Sequence, residues 1–293
     1  MQHNTLHEQA DIKSRHDLTD LCEVEDIETG AVLRSTFTFV DVDDIVWFGQ
    51  VCGVRKYDLT VEDLRQNLQR IPDDTIYPEV TPGLTLLADD NELDGLYIKR
   101  PKLLCLDDAE ETRTIPRLLL EEARILESLK PNPHPNLVRY RGCVSKRGRI
   151  VGIALEKHDI ILQYRFEDDP RELDVAACID GIRAGVAHLH SLGYAHNDLN
   201  PMNIALDKND QPVILDFGSC RKFGDTLLSG GTPGWIDEDY SISSPLHDEV
   251  ALEKIASWLR LRKSEWAAVA NTDSAESSLS SESTLGEAKM AIA

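Results

Sequence analysis

One short stretch constrains this chain more than any other: His196-Asn197-Asp198-Leu199-Asn200-Pro201-Met202-Asn203, followed by Asp216-Phe217-Gly218. It comes directly after a long apolar helical pattern at 173–193, so it reads as a loop presenting Asp198 and Asn203. A strand at 213–215 then delivers Asp216 at a glycine-containing turn. An acid and an amide on one loop, set against a second acid at a strand end, make a site of hard oxygen donors. Mg²⁺ favours such donors and commonly brings phosphates with it. Leu199 and Phe217, the apolar members, read as packing residues.

The rest of the chain sorts around that stretch. Residues 1 to 28 are polar, with weak helical patches. STFTFVDVDDIVWFGQV reads as two strands about an acidic turn whose Asp41, Asp43 and Asp44 read as a strand-end cluster rather than a cation site. VEDLRQNLQRI (61–71) has helical spacing and stops before Pro72. IPDDTIYPEVTPG is a loop or linker, which places a domain boundary near Gly83. LTLLADDNELDGLYIKR then reads as a hairpin ending in Tyr97-Ile98-Lys99, and IPRLLLEEARILESLK as an amphipathic helix over 115–130. LVRYRGCV and RIVGIALE read as two strands, 204–206 and 212–215 as two more, and 247–261 as the last clear helix. The Ser-rich acidic segment beyond it is expected to be disordered. Strands with one helix, followed mostly by helices, is the order of an α+β fold.

Composition narrows the function classes. The formal charge is −21, with 52 acidic against 31 basic residues. Phosphate backbones and anionic membranes need a basic footprint, so neither is an expected partner; a basic protein is. No apolar run approaches the roughly 20 residues that span a bilayer. The polar N-terminus lacks the apolar stretch of a secretory signal. Six scattered cysteines form neither a zinc spacing nor a disulfide framework, which points to a reducing intracellular compartment, cytoplasmic or nuclear. Cys220 reads as buried rather than reactive.

The stretch 196–218 resembles the catalytic loop and metal-binding Asp-Phe-Gly of eukaryotic protein kinases. Other positions fall into the same register over residues 84–262. Tyr97-Ile98-Lys99 resembles the strand that carries the phosphate-binding lysine. Glu122 occupies the helical position that pairs with that lysine, with Glu121 as its rival in helix phase. Leu155 stands where the family has its gatekeeper, and the backbone of Glu156 and His158 where it binds adenine. Gly231-Thr232-Pro233 resembles the end of an activation segment, and Asp248 the buried acid that ties down the catalytic loop. His196 reads as structural, packing under Asp-Phe-Gly. The resemblance implies a two-lobe fold, with a small β-rich lobe carrying one helix and a shortened, mainly helical lobe. It also implies three parts: an N-terminal extension (1–83), a kinase-like domain (84–262) and a disordered tail (263–293).

Those roles imply an ATP-dependent kinase acting on Ser or Thr hydroxyls of a protein, with Mg²⁺ or Mn²⁺ as the metal. Asp198 would orient the acceptor hydroxyl and take its proton. Asn203 and Asp216 would hold the metal, Lys99 the phosphates, and Glu122 would fix Lys99. Three departures temper this. No Gly-rich phosphate loop precedes Lys99, and Gly49-Gln-Val-Cys-Gly53 reads as a pair of strand glycines. Asn200 replaces a lysine that would neutralise transferring phosphate. The chain also runs out soon after 262. A nucleotide-binding scaffold with little phosphotransfer, or a small-molecule phosphotransferase of related fold, are the alternatives.

Overall fold

The computed structural model describes residues 10–87, 90–104, 106–237 and 240–289. The chain divides into two units, one built from Met1–Asn132 and Arg139–Lys157, the other from Pro133–Val138 and His158–Ala293. The first is rich in sheet and the second is mostly helical, the α+β arrangement expected of the kinase fold.

The first unit opens on a four-stranded antiparallel sheet in the order β1 (Asp20–Glu25), β2 (Val32–Val40), β3 (Val46–Cys52), β4 (Gln69–Arg70). β1 lies inside the stretch that composition presents as a polar leader. Its alternation is masked by Asp20, Glu23 and Glu25, and residues 1–9 lie outside the described chain. Helix α1 (Val61–Asn67) starts at a reciprocal cap in which Thr60 Oγ1 accepts from Asp63 N–H and Asp63 accepts from Thr60 N–H. It ends four residues short of the expected stop. Leu68 is extended and buried, and Gln69–Arg70 pairs with Trp47 and Phe48 at the sheet edge. The expected loop after it contains one helical turn, α2 (Asp73–Ile76), whose Ile76 is fully buried.

Neighbours on a strand face opposite sides of a sheet, and β3 uses both. Trp47 enters a core with Ile12, Phe37, Phe39 and Leu64, while Val46 enters a second core with Ile76, Tyr77, Leu103, Ile115, Val144 and Val151. The second core crosses the boundary read near Gly83, so residues 10–83 pack into the same unit as the chain from 84 to 132. Gly49 is a packing glycine, because a Cβ there would lie 2.4 Å from the Phe37 ring.

The second sheet has the order β5 (Leu96–Lys99), β7 (Arg149–Glu156), β6 (Tyr140–Lys146), all antiparallel. The hairpin read over 84–100 does not form as such. Among its described residues only β5 is a strand; the arm before it hydrogen-bonds to β6 instead, Thr85 C=O accepting from Cys143 N–H at 2.8 Å and Leu87 N–H donating to Cys143 C=O at 3.0 Å. A short helix, α3 (Ala109–Thr112), precedes α4 (Ile115–Leu129). α4 has Pro116 in its first turn and ends before Pro131, and its buried stripe is Ile115, Leu119, Glu122, Ala123, Leu126 and Leu129.

In the second unit β8 (Ile160–Ile161) leads to α5 (Arg165–Asp168) and α6 (Val175–Ser191), capped by Asp174 and followed by Gly193 at φ +81°. Two small sheets then form, β11–β10–β8 and β12–β9, from β9 (Tyr194–Ala195), β10 (Ile204–Leu206), β11 (Pro212–Ile214) and β12 (Arg221–Lys222). α6 packs closely on β11 through Gly181 and Gly185. A Cβ on these would fall 2.6 Å from Pro212 Cγ and 2.9 Å from the Asn136 carbonyl oxygen. The last helix, α7 (Pro245–Lys289), continues through the Ser-rich segment for which composition predicts disorder. Ala, Glu, Leu and Lys among those serines are helix formers.

Candidate active site

The loop between β9 and β10 is held from beneath by Asp248 of α7. Its carboxylate is fully buried and accepts from the backbone N–H groups of His196 and Asn197, each at 2.8 Å. His190 Nε2 lies 2.8 Å from the same carboxylate. A buried carboxylate is tolerated only when paired and hydrogen-bonded. Here the partners are the loop's own amides, so this acid fixes the loop. Asn197 adopts φ +64°, the left-handed region that Asn tolerates best, and its side-chain amide bonds to Ala195 C=O and Ser219 C=O. His196 is buried, approaches Leu215 C=O at 2.8 Å through Nε2, and meets the Phe217 ring edge-on at 5.5 Å. Phe217 and Cys220 are likewise buried.

The turn so anchored presents Asp198. Its Oδ1 accepts from the N–H of Thr232 at 2.8 Å and from the Thr232 hydroxyl at 2.7 Å. Asn200 Nδ2 donates to Asp198 Oδ1 at 3.2 Å and to Thr232 Oγ1 at 3.1 Å, and Asn203 Nδ2 donates to Asp198 Oδ2 at 3.2 Å. Thr232 is therefore a member of this group that sequence reasoning named only as part of a segment end. Its glycine neighbour shows how closely that segment approaches the loop: a Cβ on Gly231 would meet Ile236 at 2.3 Å and Asn197 C=O at 3.2 Å.

Asn203 and Asp216 share one end of the β10–β11 hairpin. Ile204 pairs with Ile214, and the next rung is Leu215 N–H donating to Asn203 C=O at 2.8 Å. Asp216 follows at φ +54°, with Oδ1 accepting from Gly218 N–H at 3.1 Å. Left-handed backbone costs a non-glycine residue about 1 kcal/mol and is kept where the surroundings dictate it. Asn203 spends its amide nitrogen on Asp198, so the atom it offers a metal is Oδ1. An amide oxygen and a carboxylate match Mg²⁺, which takes few protein ligands and completes its shell with phosphate and water.

In the first unit, Lys99 Nζ lies 2.6 Å from Glu122 Oε1, the two side chains being 15% and 6% exposed. Helix phase turns Glu121 outward, where it pairs with Arg124 at 2.8 Å. Leu155 is buried on β7 beside Tyr140 and Tyr97 in register. Glu156 gives its backbone N–H to Arg139 C=O at 2.9 Å, and its side chain is exposed; His158 is half-buried at the start of the second unit. Burial and the neighbouring Cys143 and Glu127 push the Tyr140 hydroxyl far above its ordinary range. Glu127, five residues after Glu122 on α4, is pulled the other way. Burial, the largest single influence, raises its carboxyl, but Thr85, donating N–H at 2.7 Å and O–H at 2.8 Å, together with the Tyr140 hydroxyl and the Lys130 charge leaves a net lowering.

No helix among the described residues is long and apolar enough to cross a membrane. The five described cysteines are free, and no cluster of three or more His, Cys, Asp or Glu is placed to hold a metal among those residues. Cys105 lies outside them.

The protein kinase domain family matches residues 102–236, a span that holds Glu122, Asp198, Asn203 and Asp216 and begins just past Lys99. Among curated proteins, a serine/threonine-protein kinase/endoribonuclease IRE1 of Hypocrea jecorina is 38% identical over 122 residues, covering 35% of this chain and 10% of that protein. Serine/threonine-protein kinase TAO3 of Xenopus laevis is 31% identical over 121 residues, or 40% of this chain and 13% of its own length. Mitogen-activated protein kinase kinase kinase 1 of Arabidopsis thaliana is 29% identical over 151 residues, or 49% and 24%. The chain thus spans between a tenth and a quarter of the length of these relatives.

Proposed function

From a chain that carries a eukaryotic-type protein kinase domain, we propose a protein that transfers the γ-phosphate of ATP to serine or threonine hydroxyls of a protein substrate. The observation that carries this reading is Asp198 and Asn203 on one loop locked by a buried acid, with Asp216 beside Asn203 at the end of the β10–β11 hairpin. Asp198 holds the acceptor hydroxyl and receives its proton at the carboxylate. Its orientation is set by Asn203 from one side and by Thr232 and Asn200 from the other. Asn203 Oδ1 and the Asp216 carboxylate would hold Mg²⁺, which when bound neutralises phosphate charge. In the first unit Lys99, fixed by Glu122, would meet phosphate oxygens, with Leu155 bounding the adenine pocket and the backbone of Glu156 meeting the adenine edge; the backbone of His158, in the second unit, is the other adenine contact of this reading. With little covalent chemistry for the protein to perform, positioning and charge supply most of the rate.

A second reading, a nucleotide-binding scaffold, is favoured by one observation. Asn200 carries no charge, and the Asp198 oxygen beside it already accepts two bonds from Thr232. The test is ATP turnover and phosphate incorporation into protein, with Mg²⁺ and with Mn²⁺, beside an Asp198→Asn control. The kinase reading expects turnover in the wild type that falls about a hundredfold or more in the control. Absent turnover in both, with ATP still raising the thermal midpoint, would establish the scaffold instead. An acidic surface of net charge −21 recommends basic peptides as the first substrates to try.

A further inference from the structure

We propose that residues 10–83 are a built-in clamp on the Lys99–Glu122 pair, with Asp44 as the positioning residue that acts through Arg100. Asp44 sits in the turn between β2 and β3, at φ +58° and 2% exposed. That turn is shaped by Asp41, whose Oδ1 accepts from the N–H groups of Asp43 and Ile45 at 2.9 Å each. The acidic cluster of the sequence thus works through cations of its own chain. Asp44 Oδ1 accepts from Arg100 Nε at 2.8 Å, and Oδ2 lies 2.8 Å from Lys146 Nζ. Arg147 donates to the Asp44 carbonyl at 3.1 Å and to the Asp43 carbonyl at 2.5 Å, and pairs with Asp73 at 2.5 Å. Lys146 also reaches the Val42 carbonyl at 3.0 Å.

Two of these cations are the last residue of β6 and the first of the turn after it, and the third is the residue directly after Lys99. β5 is four residues long, and among the described residues β7 is its one partner strand, so β5 is an edge strand of its sheet and Lys99 is its last residue. Short edge strands fray unless their ends are held. The Arg100–Asp44 bond holds this one. The same segment grips the other half of the pair. Ile76 and Tyr77 share a core with Ile115 at the start of α4, the helix that carries Glu122. Both members of the pair therefore lean on residues 10–83, and a chain without a Gly-rich loop gains a substitute brace for its phosphate-binding lysine. The catalytic meaning of the clamp rests on the kinase reading above; its geometry does not.

The test uses the full chain in four variants, Asp44→Asn, Arg100→Gln, the pair together, and Arg100→Lys. Each is assayed for acylation of Lys99 by an N-hydroxysuccinimide ester, read by peptide mass spectrometry, and for ATP turnover. Because each single variant breaks the bond between Arg100 and the buried Asp44 side chain, it should raise Lys99 labelling by roughly threefold or more and lower kcat by a similar factor. The double variant should add nothing to either, Arg100→Lys should stay near wild type, and Lys254 in the second unit should label as before. Arg100 is half-exposed, so Arg100→Gln carries the test if Asp44→Asn does not fold. Unchanged Lys99 labelling in a folded variant overturns the proposal, as do additive effects or an equal rise at Lys254. Wild type without turnover would sink the kinase reading while leaving the labelling result to decide the clamp.

Discussion

Thr232 binds Asp198 twice, once with its backbone and once with its hydroxyl, and the hydroxyl also accepts from Asn200. Substituting Thr232→Val keeps the backbone bond, removes the hydroxyl and leaves the Asn200 amide short of an acceptor. A lost hydrogen bond to a charged group is worth about 1.5–3 kcal/mol, so kcat should fall about tenfold or more with ATP affinity unchanged. Steady-state kinetics beside calorimetric ATP binding would check this, and Thr232→Ser should recover most of the rate. The role was not legible in sequence, because a threonine in an irregular segment carries no periodicity. Glu122 was more legible, since helical phase separates it from Glu121 once one buried stripe is known. Asp44 was legible only as part of an acidic turn. Its role depends on three cations, one 56 positions later and two about a hundred positions later.

At the scale of elements, the helices and strands that bury one face were read nearly whole. α4, α6, β2, β3, β6 and β7 stand within a few residues of their patterns. The errors fell where tertiary pairing overrode local preference. α1 gives up its last turn to the sheet edge, the first arm of the read hairpin is recruited by β6, and β1 hides behind its acidic residues. α6 supplies a test of which force governs. On an exposed helix, Gly→Ala gains about 1 kcal/mol. At Gly185 the added methyl would sit 2.9 Å from the Asn136 carbonyl oxygen and 3.0 Å from Ile214. Overpacking costs about 1–3 kcal/mol, so Gly185→Ala should lower the urea midpoint despite its better propensity. A raised midpoint would mean that α6 has room to shift away from β11.

For the whole molecule, the sequence disclosed two kinds of unit but not where the first unit ends. A Pro-rich stretch looks like a linker until Ile76 and Tyr77 are seen in the core beside Val144 and Val151. Stability of the first unit should also depend on pH. The Glu127 carboxyl, held by Thr85, lies below its ordinary value of 4.5 in the folded chain. A lowered carboxyl contributes stability that is present above that ordinary value and is lost as pH falls through the folded one. Denaturant midpoints measured between about pH 3 and pH 7 should drop more steeply for wild type than for Glu127→Gln. Parallel curves would assign the acid sensitivity to other groups.

The interleaving of the two units also dictates the order in which a ribosome can complete them. Val46, Ile76 and Tyr77 emerge early, yet the core that receives them closes only when β7 has been made, at Glu156. Asn136 and Val138 likewise leave the tunnel well before the strand they bond, Pro212–Ile214. At about 5–20 residues per second, the nascent chain spends several seconds with these apolar and polar surfaces unmatched. Synthesis of this protein thus carries a built-in waiting period, during which its first half has the segments of a fold but not the partners that close it.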